Sequence, residues 1–202
     1  MRPALIDLVR PVQNVNQYGF TESVSYLLGA VQRHEVEKHC IDMKTTFFGV
    51  SLDGDSAFEV VNRNIQTREL YFAGERGQYW QASHNSYQSS QTCIKLKGKL
   101  SRKFTELKGV KQGRNKSSDH YKLYIAPLLD TIERANLGVW IGNICVSVSA
   151  VADDIYPMTD NKDKLQALLD IAEEYGKMYR IQYGAAKAKI TWTTLKIFHH
   201  GK

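Results

Sequence analysis

Apolar positions recur along this chain at two spacings, and the spacing switches several times. After Thr21, which reads as a helix cap, Val24, Leu27, Leu28 and Val31 fall at i, i+3, i+4 and i+7, the period of one helical face. Thr45 to Leu52 is a short β-prone run that predicts a buried strand. From Ser56 to about Leu70 the helical period returns with Phe58, Val61 and Ile65 on one face, and a second short helix is predicted around Trp80 to Tyr87 after Gly74 and Gly77. Between Cys93 and Leu107, Ile94, Leu96 and Leu100 alternate with Lys95, Lys97 and Lys99 around Gly98, which predicts a hairpin with one cationic face. A glycine-bracketed turn follows, Gly109-Val110-Lys111-Gln112-Gly113.

The strongest helical signal comes next. Tyr121, Tyr124, Ile125, Leu128 and Ile132 keep the helical period, with Pro127 among them predicting a kink or a late start. Val139 to Ile141 and Ile144 to Val151 read as strands joined through Gly142-Asn143, with Asp153-Asp154 directly behind the second. Asp160 is the expected cap of a helix in which Leu165, Leu168, Leu169 and Ala172 repeat, and Ala188 to Trp192 closes as a strand. Helices, strands and hairpins in this order predict an α+β fold: an antiparallel sheet covered on one face by helices.

The chain has 202 residues, 43% hydrophobic and 24% charged, enough to bury a core without metals or disulfides and unlike a disordered chain. Cys40, Cys93 and Cys145 are distant from one another and lack metal-ligand spacing, which predicts a reduced, intracellular protein, nuclear or cytoplasmic. No apolar run approaches the length of a membrane span, and no membrane partner is expected. The formal net charge is +6. Lys95, Lys97, Lys99, Arg102, Lys103, Lys108, Lys111, Arg114 and Lys116 stand against Glu106 alone. Such a run is either a solvated face or a contact for a polyanion.

Two acidic sites interrupt the apolar pattern. Asp53 and Asp55 end the run Phe47 to Leu52, and Asp153-Asp154 end the run Ile144 to Ala152. A single Asp-Asp pair is commonly a turn or a cap. Adjacent carboxylates at the edge of a buried sheet repel one another, and they stay ionised cheaply when a cation compensates them. Magnesium suits such a site because it takes hard oxygen ligands and shares its shell with substrate phosphates. Two such ions can activate an attacking hydroxyl and stabilise a departing phosphate oxygen.

In order along the chain, five segments resemble motifs of reverse transcriptases. Gln17-Tyr18-Gly19-Phe20-Thr21-Glu22 is similar to a Gln-x-Gly-Phe segment ahead of the palm in enzymes of non-LTR retrotransposons. Asp53-Gly54-Asp55-Ser56-Ala57-Phe58-Glu59 resembles the first acidic motif, and Gly109 to Gly113 the second motif. Val151-Ala152-Asp153-Asp154 resembles the Ala-Asp-Asp motif, and Gly184 to Lys189 the lysine-bearing stretch downstream.

The resemblance implies a right-hand polymerase palm with partial fingers, running on two magnesium (or manganese) ions. Asp53, Asp153 and Asp154 would be the metal-binding and catalytic acids, with Lys187 assisting the leaving pyrophosphate. Gly54, Asp55, Phe58, Gln112 and Gly113 would meet the incoming deoxynucleoside triphosphate, although Phe58 reads equally as plain core. Lys95, Lys97, Lys99, Arg102 and Lys103 would face the backbone of an RNA template paired with a DNA primer. It further implies a fingers remnant and leading helix over 1–44, a palm over 45–202 with a fingers-side insertion at about 67–110, and no thumb. Val151, Glu59 and Gly184 depart from the family pattern, the last weakening the lysine motif. A fragment of this kind is expected to keep the fold and polymerise poorly or not at all. Two other readings stand beside it: a non-catalytic nucleic-acid-binding relic, and an Asp-x-Asp phosphatase, which requires a parallel sheet.

Overall fold

The computed structural model describes residues 12–21, 23–54, 57–88, 90–110, 117–184 and 187–193. In chain order these form α1 (Leu27–Asp42), β1 (Phe47–Asp53), α2 (Ala57–Val60), α3 (Arg63–Phe72) and α4 (Gly77–Gln88). The short strands β2 (Gln91–Thr92), β3 (Lys95–Leu96), β4 (Lys99–Leu100) and β5 (Phe104–Thr105) follow, then α5 (Ser117–Arg134). The remainder is β6 (Val139–Ile141), β7 (Ile144–Val146), β8 (Val148–Val151), β9 (Asp154–Thr159), α6 (Lys162–Tyr179) and β10 (Lys189–Thr193). The chain divides into two compact units: Met1–Gln13 with Ser56–Tyr124, and Asn14–Asp55 with Ile125–Lys202.

The second unit is built on a four-stranded sheet in the order β10-β1-β9-β8, antiparallel at every pair. This bears out the expected α+β class. It also removes the phosphatase reading, whose acidic strand must lie in a parallel sheet. The expectation of helices on one face is corrected. On one face Phe47, Tyr156 and Met158 pack with Val36 and Cys40 of α1 and with Val139. On the other, Leu52 shares a cavity wall with Leu169 and Ala172 of α6. Successive strand side chains alternate faces, so Phe47 and Leu52 serve opposite layers.

The apolar period misread α1. The helix begins at Leu27, not after Thr21, and Leu27, Leu28 and Val31 are exposed while Gly29, Val36 and Cys40 are buried. Gly29 decides the face: its carbonyl accepts a bond from the Ser149 hydroxyl, and a Cβ there would lie 3.0 Å from that oxygen. Gly29 lets the helix approach the sheet at Ser149, and Leu27, Leu28 and Val31 are turned outward.

The apolar pattern predicts no strand at β9, and a proline such as Pro157 is unusual in a central strand. It sits there nonetheless. β1 and β9 keep one register at both ends, Phe48 with Thr159 and Asp53 with Asp154, and the ladder lapses opposite Pro157, which has no N–H to donate. The expected strand from Ile144 to Val151 is two strands, parted at Ser147. Asp160 is not the cap of α6; the Asn161 side chain accepts from the Asp163 and Lys164 N–H groups, and Asp160 pairs with Lys164 at 2.8 Å. The β6–β7 hairpin turns at Gly142 as expected, with φ of 61°.

In the other unit, the expected helix from Ser56 to Leu70 is broken in two. Asn62 lies between, its side chain accepting from the Asn64 and Ile65 N–H groups to cap α3. Leu70 packs with Leu123, Ala73 and Trp80 to form a small core. α5 runs through Pro127, a residue of the second unit, without ending, so proline neither starts nor stops it. Among the described residues, no helix is long and apolar enough to cross a membrane.

Candidate active site

β1 ends at Asp53 and β9 begins at Asp154, and the two are register partners. Opposed residues of antiparallel strands lie with Cα atoms about 4.5–5.5 Å apart and side chains on one face. Asp153 sits in the two-residue turn between β8 and β9, which Val151 and Asp154 close as a pair. Ala152, the first turn residue, has φ of 60°, and Asp153 is not among the residues of positive φ, the pattern of a type II′ hairpin turn. Acids about a hundred positions apart in sequence are thus brought to one end of the sheet.

Lys187 joins them. Its Nζ is 3.0 Å from Asp53 Oδ2. Backbone bonds place it: Gly54 bridges Tyr183, the Gly184 N–H donates to the Asp53 carbonyl at 3.2 Å, and the Lys187 N–H donates to the Gly184 carbonyl at 2.9 Å. The pair is well exposed, so it contributes little to stability. Lys187→Gln is expected to change unfolding free energy by less than about 0.5 kcal/mol. The same substitution should tighten manganese binding, since it removes a cation that competes for Asp53; urea unfolding checks the first and calorimetric titration the second, and weaker binding refutes the competition.

Partial burial, and then the charges of Asp153 and Asp53, push the Asp154 carboxyl above the ordinary aspartate range. Asp154 keeps an exposed edge, which moderates the effect. Mutual repulsion of this kind is relieved by a divalent cation, and the donors are the hard oxygens magnesium takes. The chemistry of the donor set therefore fits a metal. Among the described residues, however, no three ligand groups already converge on one point, and the Lys187 ammonium occupies the side of Asp53 Oδ2.

The sequence places Gln17 in an upstream motif and gives it no role of its own. It is 2% exposed, and its side-chain amide exchanges bonds with both backbone groups of Ala152. Neither spacing nor composition marks it, because the contact spans 135 positions.

Phe58 belongs to the other unit and stacks on Tyr121, with ring centroids 4.8 Å apart. Gly109 and Val110, which open the second motif, are tied to that unit by N–H bonds of 2.8 Å to the Val61 and Phe58 carbonyls. A Cβ on Gly109 would lie 2.7 Å from the Glu59 carbonyl, and its φ is 86°, so only glycine fits. Asp55, Gln112 and Gly113 lie outside the described residues. The basic hairpin forms, turning at Lys97 and Gly98 with φ of 48° and 80°. Its single cationic face is corrected by the register: Lys95 opposes Leu100 and Lys99 opposes Leu96, so the two lysines point to opposite faces. All four residues are exposed, as are Lys97, Arg102 and Lys103.

Solved structures with this fold include the apo telomerase of Candida tropicalis truncated from its C-terminal domain, with TM-score 0.71 and 15% identity over 95% of this chain and 40% of that one. Telomerase from Candida tropicalis in complex with a fragment of telomeric RNA gives 0.70 and 13% identity, over 95% of this chain and 33% of that one. Telomerase from Candida albicans, also in complex with such a fragment, gives 0.62 and 10% identity, over 94% and 32%. The chain thus spans well under half of each of these proteins. No curated protein sequence matches it. The profile described as reverse transcriptase (RNA-dependent DNA polymerase) matches residues 3–198, nearly the whole chain. With its antiparallel palm-like sheet and its acids gathered at one end, the chain belongs to the reverse transcriptase family.

Proposed function

We propose that this chain is the palm of an RNA-directed DNA polymerase of non-LTR retrotransposon type, adding deoxynucleotides to a primer 3′-hydroxyl by in-line attack on the α-phosphate. The observation that carries it is the pairing of Asp53 with Asp154 across adjacent antiparallel strands, with Asp153 in the turn beside them. The Gln17-Tyr18-Gly19-Phe20 segment supports the non-LTR type.

Each residue then has a task. Asp53 and Asp153 would hold divalent cations, with Asp154 supporting them. Magnesium or manganese bound there supplies Lewis-acid polarisation of the phosphate and a more acidic primer hydroxyl. Lys187, whose ammonium stands 3.0 Å from Asp53 Oδ2, would assist the departing pyrophosphate. Gly54 and Asp55 lie along the triphosphate, Phe58 selects against a 2′-hydroxyl, and Gln112 and Gly113 meet the nucleotide. The RNA template and DNA primer are bound through their phosphates by Lys95, Lys97, Lys99, Arg102 and Lys103, in an intracellular setting.

Primer extension on a primed RNA template, with magnesium or manganese titrated in, tests the proposal. Duplex binding without extension under every metal condition assigns the non-catalytic relic instead. Exchanging Lys95, Lys97 and Lys99 for glutamine should also flatten the salt dependence of duplex binding, by about 0.9 in log-log slope for each lysine on a phosphate. An unaltered slope places the duplex elsewhere.

A further inference from the structure

We propose that Gln17 is a positioning residue for the catalytic turn: its buried amide sets the Ala152–Asp153 backbone, and so aims the Asp153 carboxylate at the metal position. The inference rests on the metal-binding role given to Asp153 above.

The geometry is specific to a glutamine. Gln17 Nε2 donates to the Ala152 carbonyl at 3.0 Å, and Gln17 Oε1 accepts from the Ala152 N–H at 3.0 Å. The same oxygen accepts from the Gly19 N–H at 3.0 Å, which fixes which end of the amide is the oxygen. One side chain thereby satisfies both polar groups of the residue that carries the turn's positive φ. A glutamate lacks the donor, an asparagine is a methylene shorter, and a methionine matches the length and offers neither strong donor nor acceptor.

The segment holding Gln17 is itself anchored. The Tyr18 N–H donates to the Ala150 carbonyl and the Ala150 N–H to the Asn16 carbonyl, both at 2.8 Å. Asn14 donates to Asp130 at 2.8 Å, and both Asn14 and Asn16 donate to Glu133 of α5. Gln32 of α1 donates to Asn16 at 2.8 Å. Gly19 lies so close beneath the turn that an added Cβ would be 2.1 Å from the Ala152 nitrogen. A turn hydrogen-bonded to the Gln17 amide and packed directly against Gly19 has little freedom to swing Asp153.

Partners that orient a metal ligand typically cost about 10–100-fold in affinity when they are lost. Gln17→Met is therefore expected to weaken manganese binding by at least about tenfold. It should also speed hydrogen exchange at the Ala152 amide, a readout that needs no metal. In an Asp153→Asn background, Gln17→Met should give no further loss of manganese affinity, because its effect passes through Asp153. A folded Gln17→Met chain with unchanged manganese affinity overturns the proposal, as does an equal loss in the Asp153→Asn background. Where Gln17→Met does not fold, Gly19→Ala is the second variant, since it displaces the same turn and keeps the amide. A folded Gly19→Ala chain with unchanged affinity overturns the proposal, and unfolding of both variants overturns it in favour of a purely structural strap. Manganese affinity left intact by both Asp153→Asn and Asp53→Asn would instead sink the metal site itself.

Discussion

Asp153→Asn is expected to abolish metal-dependent primer extension, a loss of roughly a thousandfold or more given the several kcal/mol of transition-state stabilisation a catalytic metal supplies. The fold should survive. Asp153 lies half-buried in a turn, and removing its charge lowers the repulsion within the acidic group. Equal extension by the variant refutes the assignment. The pH dependence follows from Asp154. Its carboxyl is raised by burial and by Asp153 and Asp53, so without metal the folded state favours its protonated form. The corresponding stability is present at acidic pH and lost as pH rises through the elevated folded value. Asp154→Asn should therefore raise the metal-free melting temperature at neutral pH, with the gain fading towards acidic pH. Metal affinity should fall over the same acidic range, because protons compete for the carboxylate.

Arg63→Met is expected to cost about 3–5 kcal/mol, the penalty for breaking a buried charged network from one side. Arg63 is 6% exposed. Its Nε donates to the Gly109 carbonyl at 2.9 Å, its Nη1 to the Tyr87 carbonyl at 2.9 Å and to the Glu106 carbonyl, and its Nη2 to the Glu106 carboxylate at 3.2 Å. The planar fork thus gathers the end of α4 and the strap leading to Gly109-Val110, while Ser90 donates to the same carboxylate at 2.8 Å. Removing it leaves three carbonyls and a carboxylate short of a donor. Arg63→Lys should recover little, since an ammonium cannot span those acceptors. Urea unfolding followed by Trp80 fluorescence, with Trp140 and Trp192 replaced by phenylalanine, isolates this unit. A midpoint within error of the parent would show that the network is not what holds the strap.

Much of this protein is legible in one dimension because it is local. The β1 run into Asp53, the Gly142 hairpin, the long apolar stripe of α5 and the Asp153-Asp154 doublet all announce themselves through spacing of two or 3.6 and through turn chemistry. The antiparallel class followed from the frequency of hairpins. Local caps were legible in kind and missed in place, as with Asn161 for Asp160, because adjacent residues compete for the same N–H groups.

What required the folded chain are relations between distant segments. Whether Leu27 or Gly29 faces the sheet depends on how closely α1 approaches Ser149, which periodicity does not encode. Pro157 lies in a central strand because its neighbours tolerate a lapse in the ladder there. The two hairpin lysines part to opposite faces because register, not alternation alone, sets sidedness. Above all, the chain by itself determined that acids stand at strand ends, since charge and hydropathy are properties of residues. Only tertiary structure decided that Asp53 meets Asp154, that Lys187 reaches Asp53, and that Gln17 grips the turn between. Those contacts arise from strand pairing and strap packing over long sequence separations.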